Sequence, residues 1–293
     1  MSAGPPAPDA APDAPDVLVA GDAGDAPDAF VLGAPRVHLR RTGSTNDRAR
    51  ELALAGAPHG TLVTTREQTA GRGRQGRRWS APAGSALLMS LLLRSPPSLL
   101  PLIAAIAACD ALGASAAPGE RERIRIKWPN DIVVEERPAR AATGGARLAK
   151  LAGILVEGRP QERWAVLGIG ANVAVRLEDL PPELRPASAR APREPGEHGG
   201  ALPAATLGLE PADVEPTLAR LLAALRARLR EPAELTLAAW RERDALRGRE
   251  VAWAHGHGRA EGVDGAGRLI VALAGPAGRT ALSAGEVHLR EVS

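Results

Sequence analysis

Hydrophobic positions along this chain change their spacing several times, and each change predicts an element. Residues 1–33 mix Ala, Pro, Asp and Gly with little to bury, a composition that predicts a disordered tail. From residue 37 short apolar runs begin. "VHLRRT" and "GTLVTTREQ" are strand-like, and "STNDRARELALAG" between them reads as a helix with Ser44 or Thr45 at its cap and Gly56 near its end. "SALLMSLLL" is a strand, and "SLLPLIAAIAACDALGAS" a helix apolar on every side. "RIRIKW" and "DIVVEE" predict two strands joined by a tight "WPND" turn, in which Pro129 fixes φ. "ARLAKLAGILVEG" and "ERWAVLGIGANVAV" predict a further strand pair. Residues 176–210, rich in Pro, Gly and charge, read as a connecting loop. "ADVEPTLARLLAALRARLR" and "AELTLAAWRERDAL" have the spacing of amphipathic helices.

The last stretch is different. "REVAWAHG", "GRAEGVD", "GRLIVAL" and "GRTALSAGEVHLR" predict four short strands punctuated by glycine, the pattern of a small barrel. Strands and helices do not alternate regularly, so the fold class expected is α+β with a mixed or antiparallel sheet. The predicted organisation is a tail over 1–33, a larger domain over 34–245 and a small β domain over 246–293.

Composition narrows the function. The 293 residues are 44% hydrophobic and 24% charged, and the longest apolar run is strand-sized rather than the roughly 20 residues that span a bilayer. The N-terminus lacks a basic start and an apolar core, so it does not read as a secretory signal. A lone cysteine, Cys109, sits in an apolar helical pattern and excludes a disulfide framework. A cytoplasmic protein is expected. The net charge of +3 conceals six aspartates and no Lys or Arg in residues 1–30, so the rest carries +9. A basic body can bind nucleic acid, but there is no Tyr, only Phe30, and no aromatic interleaving with the basic residues.

Only two lysines, Lys127 and Lys150, stand among the 37 basic residues, and only three asparagines, Asn46, Asn130 and Asn172. All five fall in candidate motifs. "GRGRQGRRW" (71–79) joins four arginines to three glycines. Its G-x-G-x-x-G does not open a helix, so it is not a dinucleotide fingerprint. A mobile loop of Gly backbone and Arg forks can wrap a phosphate. In "KWPND" (127–131), Asp131 and Asn130 either project from a rigid edge or bond their own turn, and Lys127 is either part of that site or an exposed strand residue. Lys150 leads "KLAGILVE" (150–157) as a point charge for an anion or as a solvated strand end. In "GIGANV" (168–173) two glycines leave room for a ligand against a sheet or mark a bulge.

The five segments, "STN" (44–46), Gln68 with "GRGRQGRRW", "KWPND", "KLAGILVE" and "GIGANV", occur in this order, and residues 37–292 resemble the biotin–protein ligase family. The resemblance implies a class II aminoacyl-tRNA-synthetase-like catalytic domain followed by an SH3-like C-terminal domain. It implies activation of biotin by ATP and Mg²⁺ to biotinyl-5′-AMP, then transfer to a lysine of a biotin carboxyl carrier protein. By motif matching, biotin would be lined by Ser44, Thr45, Asn46, Gln68, Arg72, Gly73, Arg74, Lys150, Gly153, Leu155, Gly170 and Ala171. Trp79, Asn130, Asp131, Lys150 and Asn172 would face the nucleotide. Lys150, Arg72, Arg74, Arg77 and Asp131 would carry the chemistry, Asp131 by orienting or deprotonating the incoming amine, and no residue is expected to ligate a metal. The short acidic N-terminus implies no DNA binding, and both monomers and homodimers occur in the family. A lipoate or octanoate ligase or transferase of the same fold is the alternative.

Overall fold

The computed structural model describes residues 31–136, 147–159, 161, 163–185, 202–274, 278–283, 285 and 287–289. The acidic N-terminal stretch and most of the "RPARAATGGAR" insert lie outside these residues. A seven-stranded sheet is built from β1 (Arg36–Leu39), β2 (Leu62–Thr65), β3 (Ala86–Arg94), β4 (Ile124–Lys127), β5 (Asp131–Glu136), β6 (Arg147–Arg159) and β7 (Trp164–Asn172). Its order is β1-β2-β3-β7-β6-β5-β4. Only β1 and β2 run parallel, and every other pair is antiparallel. The mixed sheet expected from the sequence is present.

One face of this sheet is sealed. α2 (Leu100–Ser115) lies on β4, β5 and β6, and α3 (Val214–Arg228) and α4 (Ala233–Glu242) cover α2 in turn. A helix held between a sheet and two helices has little solvent face, so α2 is apolar on nearly every side. Its alanines Ala104, Ala105, Ala107 and Ala108 are buried and permit close approach. Cys109 is buried among them. Asp110 accepts from Arg228 and Arg243 at 2.7 and 2.8 Å and ties the three helices together.

The opposite face is only partly covered. α1 (Thr45–Leu54) packs Ala49 and Ala53 against Val63, Leu92 and Val166. Ser44 is its N-cap residue by backbone conformation, and Gly56 follows its end at φ 86°. The rest of this face forms a groove.

The second sheet is antiparallel, in the order β11-β10-β9-β8-β12. Its strands are β8 (Glu250–Trp253), β9 (Gly256–Val263), β10 (Leu269–Ala272), β11 (Arg279–Leu282) and β12 (His288–Leu289). The single strand expected over 278–290 is therefore two, at opposite edges of the sheet. The buried Trp128 donates its indole N–H to the Gly267 carbonyl at 3.1 Å, and Arg249 pairs with Glu135 at 2.6 Å. These contacts hold the second sheet against the first.

Two boundaries differ from expectation. Residues 31–33 belong to the folded body: Leu32 is buried, and the Gly33 N–H donates to the Gly60 carbonyl. Within the 176–210 connection, residues 203–209 form an ordered strap. Lys150 N donates to Pro203 O, Ala205 N to Lys150 O, Leu207 N to Asn172 O and Leu209 N to Val173 O. β7 stops covering β6 at Ala152, and the strap takes its place.

Candidate active site

Alternate residues of three central strands floor this groove, and Asn46 and Trp79 lie over them. Strand alternation sends every second side chain to the same face. Leu88 and Ser90 of β3 therefore share a face with Gly168 and Gly170 of β7 and with Gly153 and Leu155 of β6, their registered partners. The glycines are required by what sits above them. A Cβ on Gly168 would lie 2.1 Å from Asn46 Oδ1, and one on Gly170 would lie 2.7 Å from Trp79 Cε2. A Cβ on Gly153 would lie 3.3 Å from both Lys150 Nζ and Trp79 Cζ3.

Lys150 reaches the groove through a bulge. Ile132 pairs with Ala152 but Val133 pairs with Lys150, so Leu151 is an extra residue. Leu151 and Ala152 both enter the core against α2, and the reversal of alternation turns Lys150 onto the groove face beside Gly153. A bulge re-aims side chains in this way. Asp131, paired with Gly153, points the same way. Lys150 Nζ stands 2.7 Å from Asp131 Oδ1 and 5.7 Å from the centre of the Trp79 ring. This is an ion pair whose angles are not those of an aligned hydrogen bond, because Asp131 Oδ1 has no hydrogen-bond partner.

At the far end of the groove is a polar chain. Ser44, Thr45, Asn46 and Ser90 are all buried. Gln68 Oε1 accepts from Thr45 N at 2.8 Å and lies 3.1 Å from the Thr45 hydroxyl oxygen. Ser90 Oγ lies 2.8 Å from Thr45 Oγ1 and 2.6 Å from Asn46 Oδ1. Asn46 Nδ2 donates to Glu157 at 2.8 Å.

The Arg/Gly segment bridges the two ends as a closed hairpin rather than an open loop. Arg72 and Arg78 pair across it, Trp79 N donates to Gly71 O, and Gly73 N donates to Arg77 O. Gln75 at φ 56° and Gly76 at φ 74° make its tip. Its arginines divide. Arg72 binds both Glu157 oxygens, at 2.6 and 2.9 Å, and reaches Asp47 at 2.9 Å. Arg74 and Arg77 line a small cleft with Lys127, Pro129, Asn130, Asp131, Gly285 and Val287. Burial pushes the Arg74 guanidinium below its usual range, Arg77 adds to this, and Asp131 opposes it. Arginine remains a cation there, and an anion entering the cleft would relieve it.

Residues 38–173 match the Biotin/lipoate A/B protein ligase family. The chain is 35% identical over 262 residues to the biotin–[acetyl-CoA-carboxylase] ligase of Paracoccus denitrificans, across 85% of this chain and 98% of that one.

The chain belongs to the biotin–protein ligase family.

It is also 37% identical over 163 residues to the bifunctional ligase/repressor BirA of Bacillus spizizenii, spanning 53% of this chain and under half, 45%, of that protein. In structure it resembles the Aquifex aeolicus biotin protein ligase in complex with biotin and ATP. The TM-score is 0.62 at 23% identity, over 88% of this chain and 99% of that one, a likeness of fold. Among the described residues no helix is long and apolar enough to cross a membrane.

The structure gives several of the motif residues a structural setting of their own. Ala171 does not line the groove: it alternates with Gly170 and packs in the core with Leu167 and Ile169. Asn130 donates its amide to Ile154 O at 3.0 Å, and Asn172 donates to Ala205 O at 2.8 Å, so both pin backbone beside the site. Lys127 is buried rather than an exposed strand residue. Two residues of the polar chain, Ser90 and Glu157, have no role assigned by motif matching. A lone hydroxyl inside "ALLMSLLL" was the available signal for Ser90, because a polar group in a buried strand needs a partner.

Proposed function

We propose that this chain is an ATP-dependent biotin–protein ligase that makes biotinyl-5′-AMP and transfers biotin to a lysine of a carboxylase carrier protein. One observation carries the reading. Five segments far apart in sequence converge on one groove, with neutral hydrogen-bonding groups at one end and Lys150, Arg74 and Arg77 at the other. A ureido ring with a carboxylate-bearing tail has this polarity.

The chemistry follows from the charges. A biotin carboxylate oxygen attacks the α-phosphorus of ATP, the bond to the β-phosphate oxygen breaks, and pyrophosphate leaves. Two anions must approach, and fixed cations in a partly desolvated cleft lower that barrier. Lys150 serves the carboxylate and α-phosphate, and Arg74 and Arg77 serve the leaving phosphates. Once Lys150 turns to the phosphate, Asp131 is released to orient the acceptor amine and take its proton. The amine then attacks the acyl carbon and AMP departs. The hairpin shields the mixed anhydride from water until then.

Mg²⁺ belongs to this reading as part of the nucleotide. Among the described residues no group of three or more His, Cys, Asp or Glu could hold a metal, and Mg²⁺ commonly binds through substrate phosphates with one or two carboxylates. The larger sheet with its helices corresponds to a class II synthetase-like catalytic domain over 31–245. The five strands beyond it correspond to an SH3-like domain over 246–293, supported by β11 and β12 lying at opposite edges.

Lipoyl or octanoyl transfer is the other reading within the matched family. The Thr45–Gln68 and Asn46–Ser90 chain favours biotin, because an alkyl chain would leave these buried polar groups without use. Mass spectrometry of a purified carrier domain, incubated with the protein, Mg-ATP and either biotin or lipoate, tests the choice. A mass gain of one biotinyl group is expected with biotin only; a gain with lipoate only refutes the reading.

A further inference from the structure

Glu157 ends the "KLAGILVE" stretch and touches nothing in the cationic cleft. Its carboxylate nevertheless receives two convergent donors on one oxygen. Asn46 Nδ2 reaches Oε2 at 2.8 Å, and Arg72 Nη2 reaches the same atom at 2.6 Å. Arg72 also holds Oε1 at 2.9 Å. The carbonyl of Leu155, 3.5 Å from the same amide, is a second acceptor there.

A carboxylate can only accept, so the amide must turn its NH₂ towards Glu157. Asn46 Oδ1 then faces Ser90, which must donate to it. A hydroxyl has one proton, so Ser90 can only accept from Thr45. The charge on Glu157 therefore sets the direction of every hydrogen bond along Asn46, Ser90 and Thr45. The same carboxylate anchors Arg72, at the start of the cationic hairpin, to the sheet.

We infer that Glu157 is a positioning residue for biotin recognition, acting through Asn46 and Arg72 and not by contact with the reacting atoms. It fixes which atoms of the polar pocket donate and which accept, and so makes the pocket selective for the donor–acceptor pattern of a cyclic urea. This rests on the ligase reading.

The test uses the full-length chain and its Glu157→Gln variant, an isostere that can donate as well as accept. Pyrophosphate release is measured against biotin and against ATP, with thermal unfolding recorded alongside. The expected result is a KM for biotin raised at least tenfold, a KM for ATP within twofold of wild type, and a similar melting temperature. Asn46→Ala and the double variant complete a cycle. If Glu157 acts through Asn46, adding Glu157→Gln to Asn46→Ala raises the biotin KM by less than half of its effect in wild type. Glu157→Asp, tested with the same assay, is expected to be intermediate because it keeps the charge but shortens the reach. An unchanged biotin KM in Glu157→Gln, or fully additive effects with Asn46→Ala, overturns the inference. If Glu157→Gln does not fold, the biotin KM of Glu157→Asp decides, and a wild-type value overturns the inference. Absence of biotin-dependent pyrophosphate release in the wild-type chain would instead overturn the ligase reading itself.

Discussion

Gly168→Ala is the most direct probe of the groove floor. The added methyl would lie 2.1 Å from Asn46 Oδ1, 2.9 Å from its Cγ and 3.1 Å from Nδ2. Carbon and oxygen ordinarily approach no closer than about 3.3 Å, so Asn46 has to retreat by roughly 1.2 Å, and it has nowhere to go. Ser90 holds one side of the amide at 2.6 Å and Glu157 the other at 2.8 Å. The bond to the carboxylate contributes about 1.5–3 kcal/mol and the neutral one about 1 kcal/mol. Losing both predicts destabilisation of about 3 kcal/mol. A side chain displaced by about 1 Å also predicts up to a hundredfold loss in biotin-dependent turnover. Urea unfolding monitored by tryptophan fluorescence, and pyrophosphate release against biotin, measure the two effects. Gly265→Ala is the control, since no atom lies within 4 Å of its added carbon; a change within about 0.5 kcal/mol is expected. A Gly168→Ala protein with the wild-type urea midpoint and wild-type biotin dependence would refute the idea that Asn46 is clamped against a bare floor.

Four further outcomes are expected. Lys150→Arg keeps the charge but replaces a compact ammonium, 2.7 Å from Asp131, with a planar fork; adenylation should fall at least tenfold, about 1.4 kcal/mol of barrier, by single-turnover pyrophosphate release. Arg74→Ala should leave the fold intact but let biotinyl-5′-AMP escape, detected by filtration of the protein from its intermediate; retention equal to wild type would count against a shielding hairpin. Asp244 is half-buried, and desolvation pushes its carboxyl up to about 6 from 3.8, against the backbone N–H of Leu246. A carboxyl raised by folding binds its proton more tightly in the native state, so stability falls as pH rises from about 4 to 6. Asp244→Asn should therefore gain on wild type across that window, by up to about 3 kcal/mol, in denaturant titrations at pH 4 and 7. Burial pushes the Cys109 thiol up to about 12, so alkylation by iodoacetamide should track global unfolding and not native-state exposure.

Much of this was legible in one dimension. The apolar run of β3, interrupted by Ser90 alone, and the apolar α2 announce elements buried on both sides, and Gly56, a residue free to take the positive φ it adopts, marks the end of α1. The five motifs were visible because their chemistry depends on residue type and local spacing, which the chain order preserves.

Facing direction was not visible. Ala171 and Gly170 are neighbours in one motif, but pleating sends one to the core and the other to the groove. The extra residue Leu151 reverses that alternation once, and this alone brings Lys150 onto the same face as Gly153 and Asp131. Nor could the sequence show that Arg72 is held by Glu157, 85 residues away, while Arg74 lies in the cleft two positions further on. Ser90, Glu157 and the 203–209 strap acquire their roles only from distant partners. Sequence by itself determined which groups the site contains, because type and spacing are local properties. Tertiary structure decided which of them meet, because alternation, bulges and ion pairing depend on the strand next door.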